Sequence, residues 1–411
     1  MNYIFKMAVK NVLRNRRRTI LTFSSVTFGI FLMVICRGIM QGINADSTRN
    51  LINYQTSHMK VFAKGYFKDM ADLPLDKIIK NPVELESKLM SSNYIKSTTD
   101  RVQFPVTLNN GINDLSCMGV GIDVKKDAMV FDTYKAVVDG QYLEENDSGI
   151  IMGCNLAKDF KTKTGDWLVI TGWTIDGAMN ALDFKVKGIF KTGNPYLDNN
   201  AVFMSLQSAD DFLGLKGSAT EIDIKLKDGE QLAKAKKSIY TLVNASQDGY
   251  EVFTWKKLAE DIIQFITLKT MGGDIMGLFI LIIASVGIIN TMLMSVFERV
   301  KEIGMMMAMG MKADKIRKMF LMEGFVIGLF GSSTGSIMGY LLVLALHKGI
   351  DFSSFGDLMA QSFAVSPVIY PAISPGTVAG YFIFGIVICT IASLYPSYKA
   401  SKFEPVEALR K

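Results

Sequence analysis

The stretch ERVKEIGMMMAMGMKADKI, residues 298–316, decides how the rest of the chain is read. Before it lies IMGLFILIIASVGIINTMLMSVF (residues 275–297), with no charge. After it lies FLMEGFVIGLFGSSTGSIMGYLLVLAL (residues 320–346), whose single charge is Glu323. Each run exceeds the roughly 20 apolar residues needed to cross a bilayer core, so residues 298–319 form a short loop between two membrane spans, 274–297 and 320–346. Arg299, Lys301, Lys312, Lys315, Arg317 and Lys318 outnumber Glu298, Glu302 and Asp314 in it. That excess of base places the loop in the cytoplasm. Val300, Ile303, Met306, Met307 and Met311 recur at helical spacing, which predicts a short amphipathic helix. Gly310 can close it in the left-handed conformation. An apolar stripe on a cytoplasmic loop either lies on the membrane or enters a partner's groove.

Glu298, Arg299, Glu302, Ile303, Gly304, Ala308, Met309, Gly310 and Ile316, with Asn290 upstream, resemble the coupling-helix segment of the MacB/LolC/FtsX family of ABC transporter permeases. The resemblance implies that this helix docks in a cleft of an ATPase. Met306 and Met311, on the apolar stripe, join Glu298, Arg299, Glu302, Ile303, Ala308, Met309 and Gly310 as the expected ATPase-coupling positions.

With 411 residues, 49% of them hydrophobic, and a mean hydropathy of +0.24, the chain suits a protein partly in the membrane. Its formal charge of +6 is uneven: residues 1–18 carry six bases and no acid, while the stretch between the first and second spans is acidic on balance. The bases border membrane spans, so the distribution is topological and gives no reason to expect a nucleic-acid partner. Residues 1–18 read as a cytoplasmic amphipathic helix. Ile4, Phe5, Ala8, Val9, Val12 and Leu13 form one stripe, and Lys6, Lys10 and Arg14 another, suited to anionic membrane lipids. Residues 19–43 form the first span. A signal peptide would need small residues before its cleavage site, whereas the run here is Met33, Val34, Ile35, Cys36, so an uncleaved anchor is expected. Arg37 sits in the outer third of this span. It either snorkels to the headgroups or meets an acid such as Asp46 or Asp274 near a substrate entry.

Residues 44–273 are polar enough for an extracytoplasmic domain with its own core and two subdomains. Strand-like runs at 58–63, 102–108, 115–121, 149–152, 167–171, 184–190, 201–204 and 221–226 alternate with helical stretches at 82–90, 155–160, 206–213 and 231–244, an α+β pattern. Asn155 is the expected cap of its helix. Gly140, Gly149, Ile151, Gly153, Leu156, Ala157, Gly165 and Asp166 resemble the periplasmic core domain of the same family. The implied fold class is an integral membrane α-helical protein with four transmembrane helices and a large MacB-like α+β domain between the first and second.

The chemistry of the sequence is mostly exclusion. Two histidines, His58 and His347, do not support a histidine-based metal site or a nucleophilic triad, and no metal or catalytic residue is assigned. Cys117 and Cys154 both lie outside the membrane, where a disulfide is permitted but not required. The dipeptide Gly-Lys never occurs, so no phosphate loop of the form GxxxxGK[ST] is present. The chain needs no cofactor of its own; ATP and magnesium belong to a partner ATPase.

In the third span Gly324, Gly328, Gly331, Gly335 and Gly339 stand mostly four apart, the spacing of a helix-packing face. Glu323, close to the cytoplasmic end, is expected to reach the surface. Residues 347–375 form an external loop, 376–396 the fourth span and 397–411 a cytoplasmic tail. Pro396, Ala400, Pro405, Ala408, Leu409 and Arg410 resemble the family's carboxyl-terminal signature.

Within the family, the large external domain and the lack of a fused ATPase resemble the lipoprotein-releasing permeases of the LolC/LolE type. This implies an inner-membrane permease, paired with a second permease chain and an ATPase dimer, that extracts lipoproteins from the outer leaflet. Met33, Arg37, Met40, Asn290, Met292 and Met294 are the candidate substrate path, because methionines adapt to a variable apolar guest. One departure concerns residues 172–183, GWTIDGAMNALD, where the LolC-like member carries a projecting hook that recruits a soluble carrier. Here the segment is short and lacks proline. A drug or peptide exporter working through a periplasmic adaptor, and a non-transporting mechanotransmission regulator, are the other two readings.

Overall fold

The computed structural model describes residues 2–14, 16–145, 147–244, 249–351 and 368–404. These fall into two compact units: a membrane unit within Met1–Asn44, Phe265–Asp351 and Val368–Lys411, and an external unit within Ala45–Gln264. Most of the 347–375 loop, and Pro405 and Ala408 to Arg410 of the tail signature, lie outside the described residues.

Among the described residues, four helices are long and apolar enough to span a bilayer: Thr19–Thr56, Glu260–Glu298, Ala313–Lys348 and Pro375–Ala400. The first two overrun the boundaries that hydropathy suggests at 43 and 274. The first stays α-helical through Asn50 and ends in a π-helical segment, Leu51–Thr56; the second begins at Glu260. Hydropathy reports the solvent around a helix and not its hydrogen bonds. With no proline in residues 44–50 or 260–273, nothing interrupts the backbone ladder.

The third span is the hub of the membrane unit because glycines let its neighbours approach. A Cβ at Gly331 would lie 2.9 Å from Val26 Cγ1, at Gly335 2.5 Å from the Thr27 carbonyl oxygen, and at Gly339 2.8 Å from Val34 Cβ, all on the first span. Toward the fourth span and the short helix Leu394–Ala400, Gly324 abuts Ser393, and a Cβ at Gly328 would lie 2.8 Å from Cys389 Cβ. The amino-terminal helix Asn2–Arg14 also belongs to this bundle. Ala8 is fully buried, and Met7 and Val12 pack on the bundle core, so part of the stripe expected to face lipid faces protein instead.

Among the described residues, the external unit is one mixed ten-stranded sheet flanked by helices. Its strands are β1 (Met59–Ala63), β2 (Ile95–Asn109), β3 (Asp114–Ile122), β4 (Val137–Gly140), β5 (Ile150–Gly153), β6 (Trp167–Trp173), β7 (Met179–Phe190), β8 (Ala201–Ser205), β9 (Glu221–Leu226) and β10 (Tyr250–Thr254). Their order is β10-β1-β9-β2-β3-β8-β5-β7-β4, with β6 pairing β2 and β7. Helices Pro82–Met90 and Leu232–Asn244 bury Leu85, Leu89, Ala235, Ile239 and Val243 against β1, β9 and β10. Helices Cys154–Phe160 and Leu206–Leu213 bury Leu156, Phe160, Phe212 and Leu213 against β2, β6 and β7. The fifteen-residue β2 serves both cores, pairing β9 with its first half and β3 and β6 with its second.

Several local expectations change. Cys154–Phe160 is capped by Gly153, and Asn155 donates instead to Asn199 Oδ1 at 2.7 Å. β2 starts at Ile95 and β7 at Met179, because backbone pairing carries IKSTTD and MNALD, which lack an apolar run, into the sheet. Residues 172–183 are therefore the end of the β6–β7 hairpin, with Trp173 opposite Met179. Its tip turns at Gly177, whose φ of +78° favours glycine. β4 and β10, short and partly exposed, carry no legible alternation.

Candidate coupling surface and substrate path

The second span ends at Glu298, and Arg299 breaks the helix with φ −107° and ψ 15°. Val300–Ala308 then forms the short connecting helix. Met309 caps it, and Gly310, at φ +90°, turns the chain toward Lys312, the cap of the third span.

This helix presents a different face from the one its spacing suggests. Ile303 is fully buried, and Met306, Met307 and Met311 pack on the membrane unit's own core. Met309 is 81% exposed and Met305 50% exposed, with Ala308 beside them. The outward apolar patch is thus Met305, Ala308 and Met309. Of the predicted stripe, Ile303, Met306, Met307 and Met311 are the seat that holds the helix in place. Glu298 is exposed at the preceding helix end.

A chain of charges sets the angle of that helix. Arg14 Nη2 donates to Glu302 Oε1 at 2.7 Å and to Oε2 at 3.0 Å. Arg299 Nε lies 3.6 Å from Glu302 Oε2, and its Nη1 lies 3.8 Å from Glu323 Oε2. Arg299 and Glu323 are both buried, which corrects the expectation that Glu323 reaches the surface. Burying a guanidinium in apolar surroundings is costly unless it is paired. The chain therefore ties the amino-terminal helix, the connecting helix and the third span into one piece.

The residues proposed as a substrate path do not share a surface. Met33 and Met292 are buried in the bundle core, Met33 against Gly277, where a Cβ would lie 2.8 Å from its Cε. Met40 is half-buried, while Asn290 and Met294 are exposed. Arg37 meets one of the two acids suggested for it: its Nη1 donates to both oxygens of Asp274, at 3.0 and 3.1 Å.

The external unit holds a charged cluster that reading the sequence missed. Lys60 Nζ lies 2.6 Å from Glu221 Oε1 and 3.2 Å from Asp223 Oδ1. Arg101 Nε donates to Asp127 Oδ1 at 2.7 Å, and its guanidinium stacks 3.4 Å from the Phe131 ring centroid. Gln103 Nε2 donates to Glu221 at 2.9 Å. All of these side chains are buried. Burial raises the Asp223 carboxyl well above the usual range against the pull of Lys60, and raises Asp127 against that of Arg101. The sequence signal was Lys60 and Asp223, each standing between two apolar strand residues, Met59 and Val61 and Ile222 and Ile224; Arg101, which follows Asp100, and Glu221, which follows Thr220, gave none. All four cysteines are free, so Cys117 and Cys154 are not bridged. Among the described residues no group of three or more potential ligands is placed to hold a metal ion.

Comparison with known proteins agrees with this architecture. Residues 19–242 match the MacB-like periplasmic core domain, and residues 275–405 match the FtsX-like permease C-terminal domain. An ABC transporter permease of Methanocaldococcus jannaschii is 25% identical over 99% of this chain and 97% of its own length. The macrolide export ATP-binding/permease protein MacB 2 of Yersinia pestis is 23% identical over 99% of this chain, which spans 58% of that protein. The lipoprotein-releasing system transmembrane protein LolC of Neisseria meningitidis is 22% identical over 95% of this chain and 94% of its own. The chain belongs to the MacB/LolC/FtsX family of ABC transporter permeases.

Proposed function

We propose that this permease is driven by separate ATPase subunits and extracts acylated proteins from the outer leaflet of the inner membrane. The observation that carries the drive is the exposed Met305, Ala308 and Met309 face, set on a helix that the Arg14–Glu302–Arg299–Glu323 chain braces against the bundle. An apolar knob on a braced lever suits a groove in an ATPase that closes on ATP, with ATP and magnesium held by that partner. Arg299 and Glu323 pass its displacement to the third span. Two permease chains and two ATPases make the working unit.

The substrate class rests on the surface of the spans. Ile275, Met276, Phe279, Ile282, Ile283 and Val286 leave the second span broadly apolar and exposed, a surface for acyl chains and not for a hydrophilic solute. The likeness to LolC over nearly the full length of both proteins supports lipoprotein release. An amphiphilic drug fits the same surface, and the likeness to the macrolide export protein keeps efflux, with a periplasmic adaptor, as the second reading. The β6–β7 hairpin is short, so a soluble carrier is expected to contact the partner permease first.

Depleting the chain and fractionating lipoproteins between the two membranes tests this. Retention of lipoproteins in the inner membrane is expected. An unaltered distribution with increased sensitivity to amphiphilic drugs gives the efflux reading instead.

A further inference from the structure

The four spans are not held alike. Glycine faces lock the third span against the first and fourth, with backbones close enough that a methyl group would collide. The chain entering the fourth span is fastened to the first, with the Ala372 amide donating to the Gly38 carbonyl at 3.0 Å. The second span is held less closely: nothing lies within 4 Å of a Cβ built at Gly272, Gly273 or Gly287, and a Cβ at Gly277 meets the flexible end of the Met33 side chain, 2.8 Å away, and not backbone. It meets the first span along a thin seam, Leu281 against Gly29 and Gly277 against Met33, that continues outward as Asp274 against Arg37.

At the outer end of that seam the contacts become polar. Asp274 accepts from Arg37 Nη1 at 3.0 and 3.1 Å and from the Tyr381 hydroxyl of the fourth span at 3.1 Å. About one turn further out, Asn44 Nδ2 donates to Thr270 Oγ1 at 3.0 Å, again between the first and second spans. Asp274 thus receives donors from two spans that are locked together, while its own span is not. The Asp274 side chain is also 49% exposed, so water or headgroups can replace its donors when the helices part.

We propose that Arg37, Asp274 and Tyr381 are positioning residues. They form a releasable clasp that holds the outer end of the second span against the first and fourth, and it opens once in each ATP cycle. The proposal rests on the chain being an ATPase-driven permease, whatever its substrate.

The test uses the full chain coexpressed with its ATPase and placed in lipid nanodiscs. Cys36, Cys117, Cys154 and Cys389 are replaced and cysteines are put at positions 37 and 274. A short bifunctional thiol reagent should bridge the pair readily without nucleotide and severalfold less after trapping with ATP and vanadate. The bridged complex should hydrolyse ATP severalfold more slowly, and reductant should restore it. Equal bridging in both states, or turnover untouched by the bridge, overturns the clasp. If the cysteine pair does not assemble, charge exchange decides. Arg37→Asp and Asp274→Arg should each alter ATP turnover severalfold, and the double exchange should bring it back; absence of recovery overturns the proposal. An ATPase that fails to bind strikes the coupling surface and the clasp together, whereas one that binds while bridging stays constant strikes the clasp alone.

Discussion

Arg299 and Glu323 face each other across 3.8 Å at the joint between the second and third spans, both side chains almost wholly buried. Breaking a buried ion pair costs on the order of 3–5 kcal/mol, and Glu302, 3.6 Å from Arg299, keeps the loss of Glu323 at the low end of that range. Glu323→Ala is therefore expected to lower the melting temperature of the purified permease sharply. Arg299→Glu combined with Glu323→Arg should recover part of it. Equal stability of Glu323→Ala and wild type would remove the pair from the structural account of coupling.

The outward methionines and the inward isoleucine make opposite predictions. Met305→Asp and Met309→Asp lie on an exposed face and should change stability by no more than about 0.5 kcal/mol. Both should abolish copurification of the ATPase, because an unpaired charge is costly in an apolar groove. Ile303→Asp should instead destabilise the bundle itself by roughly 3 kcal/mol or more. Full ATPase recovery with both methionine variants would count against this helix as the docking element.

Glycine packing predicts a contrast within the membrane unit. Gly335→Ala places a methyl group 2.5 Å from the Thr27 carbonyl oxygen and should cost about 1–3 kcal/mol by overpacking. Gly287→Ala meets nothing within 4 Å and should be tolerated. Thermal unfolding of the two variants in one detergent gives the comparison; similar losses would disprove the packing assignment.

The buried cluster in the external unit predicts a pH dependence. The Asp223 carboxyl is raised in the folded state by burial, so the folded form binds the proton more tightly than the unfolded chain. Its contribution to stability is fully present below the unfolded value, about 4. It declines as pH rises through the folded value. The groups facing it are Lys60, Glu221 and Arg101. All three tryptophans, Trp167, Trp173 and Trp255, lie in the external unit, so intrinsic fluorescence follows its unfolding in the full chain. Asp223→Asn should flatten the decline in unfolding midpoint with rising pH. An unchanged slope would assign the dependence to other groups.

Burial pushes the Cys117 thiol up to about 12. At neutral pH almost no thiolate is present, and the thiolate is the reactive form. Cys117 should react with maleimide far more slowly than a thiol in the denatured chain. Non-reducing electrophoresis should show no intramolecular bridge to Cys154, and a reductant-sensitive mobility shift would contradict the free state.

The spans and the place of the external domain were legible because hydropathy is a one-dimensional property. Some 20 apolar residues in a row have few other uses. Pro82–Met90 and Leu206–Leu213 were legible to the residue, since proline opens the first and Gly214, at φ +73°, closes the second. The outer start of β7 was not, because MNALD has no alternation and is held by its pairing with β6.

What the sequence by itself determined is therefore topology: four apolar helices, an α+β insertion after the first, and a basic, methionine-rich connector after the second. The tertiary structure alone decided which methionines face outward. A helix carrying Met305, Met306, Met307 and Met309 has apolar residues nearly all round, and only the bundle it rests on selects Met305 and Met309 for exposure. It also decided the partner of Arg37 between Asp46 and Asp274, and brought Lys60 to Glu221 across 161 positions of sequence. Such pairings depend on helix rotation and strand register, which distant segments set together and no local window contains.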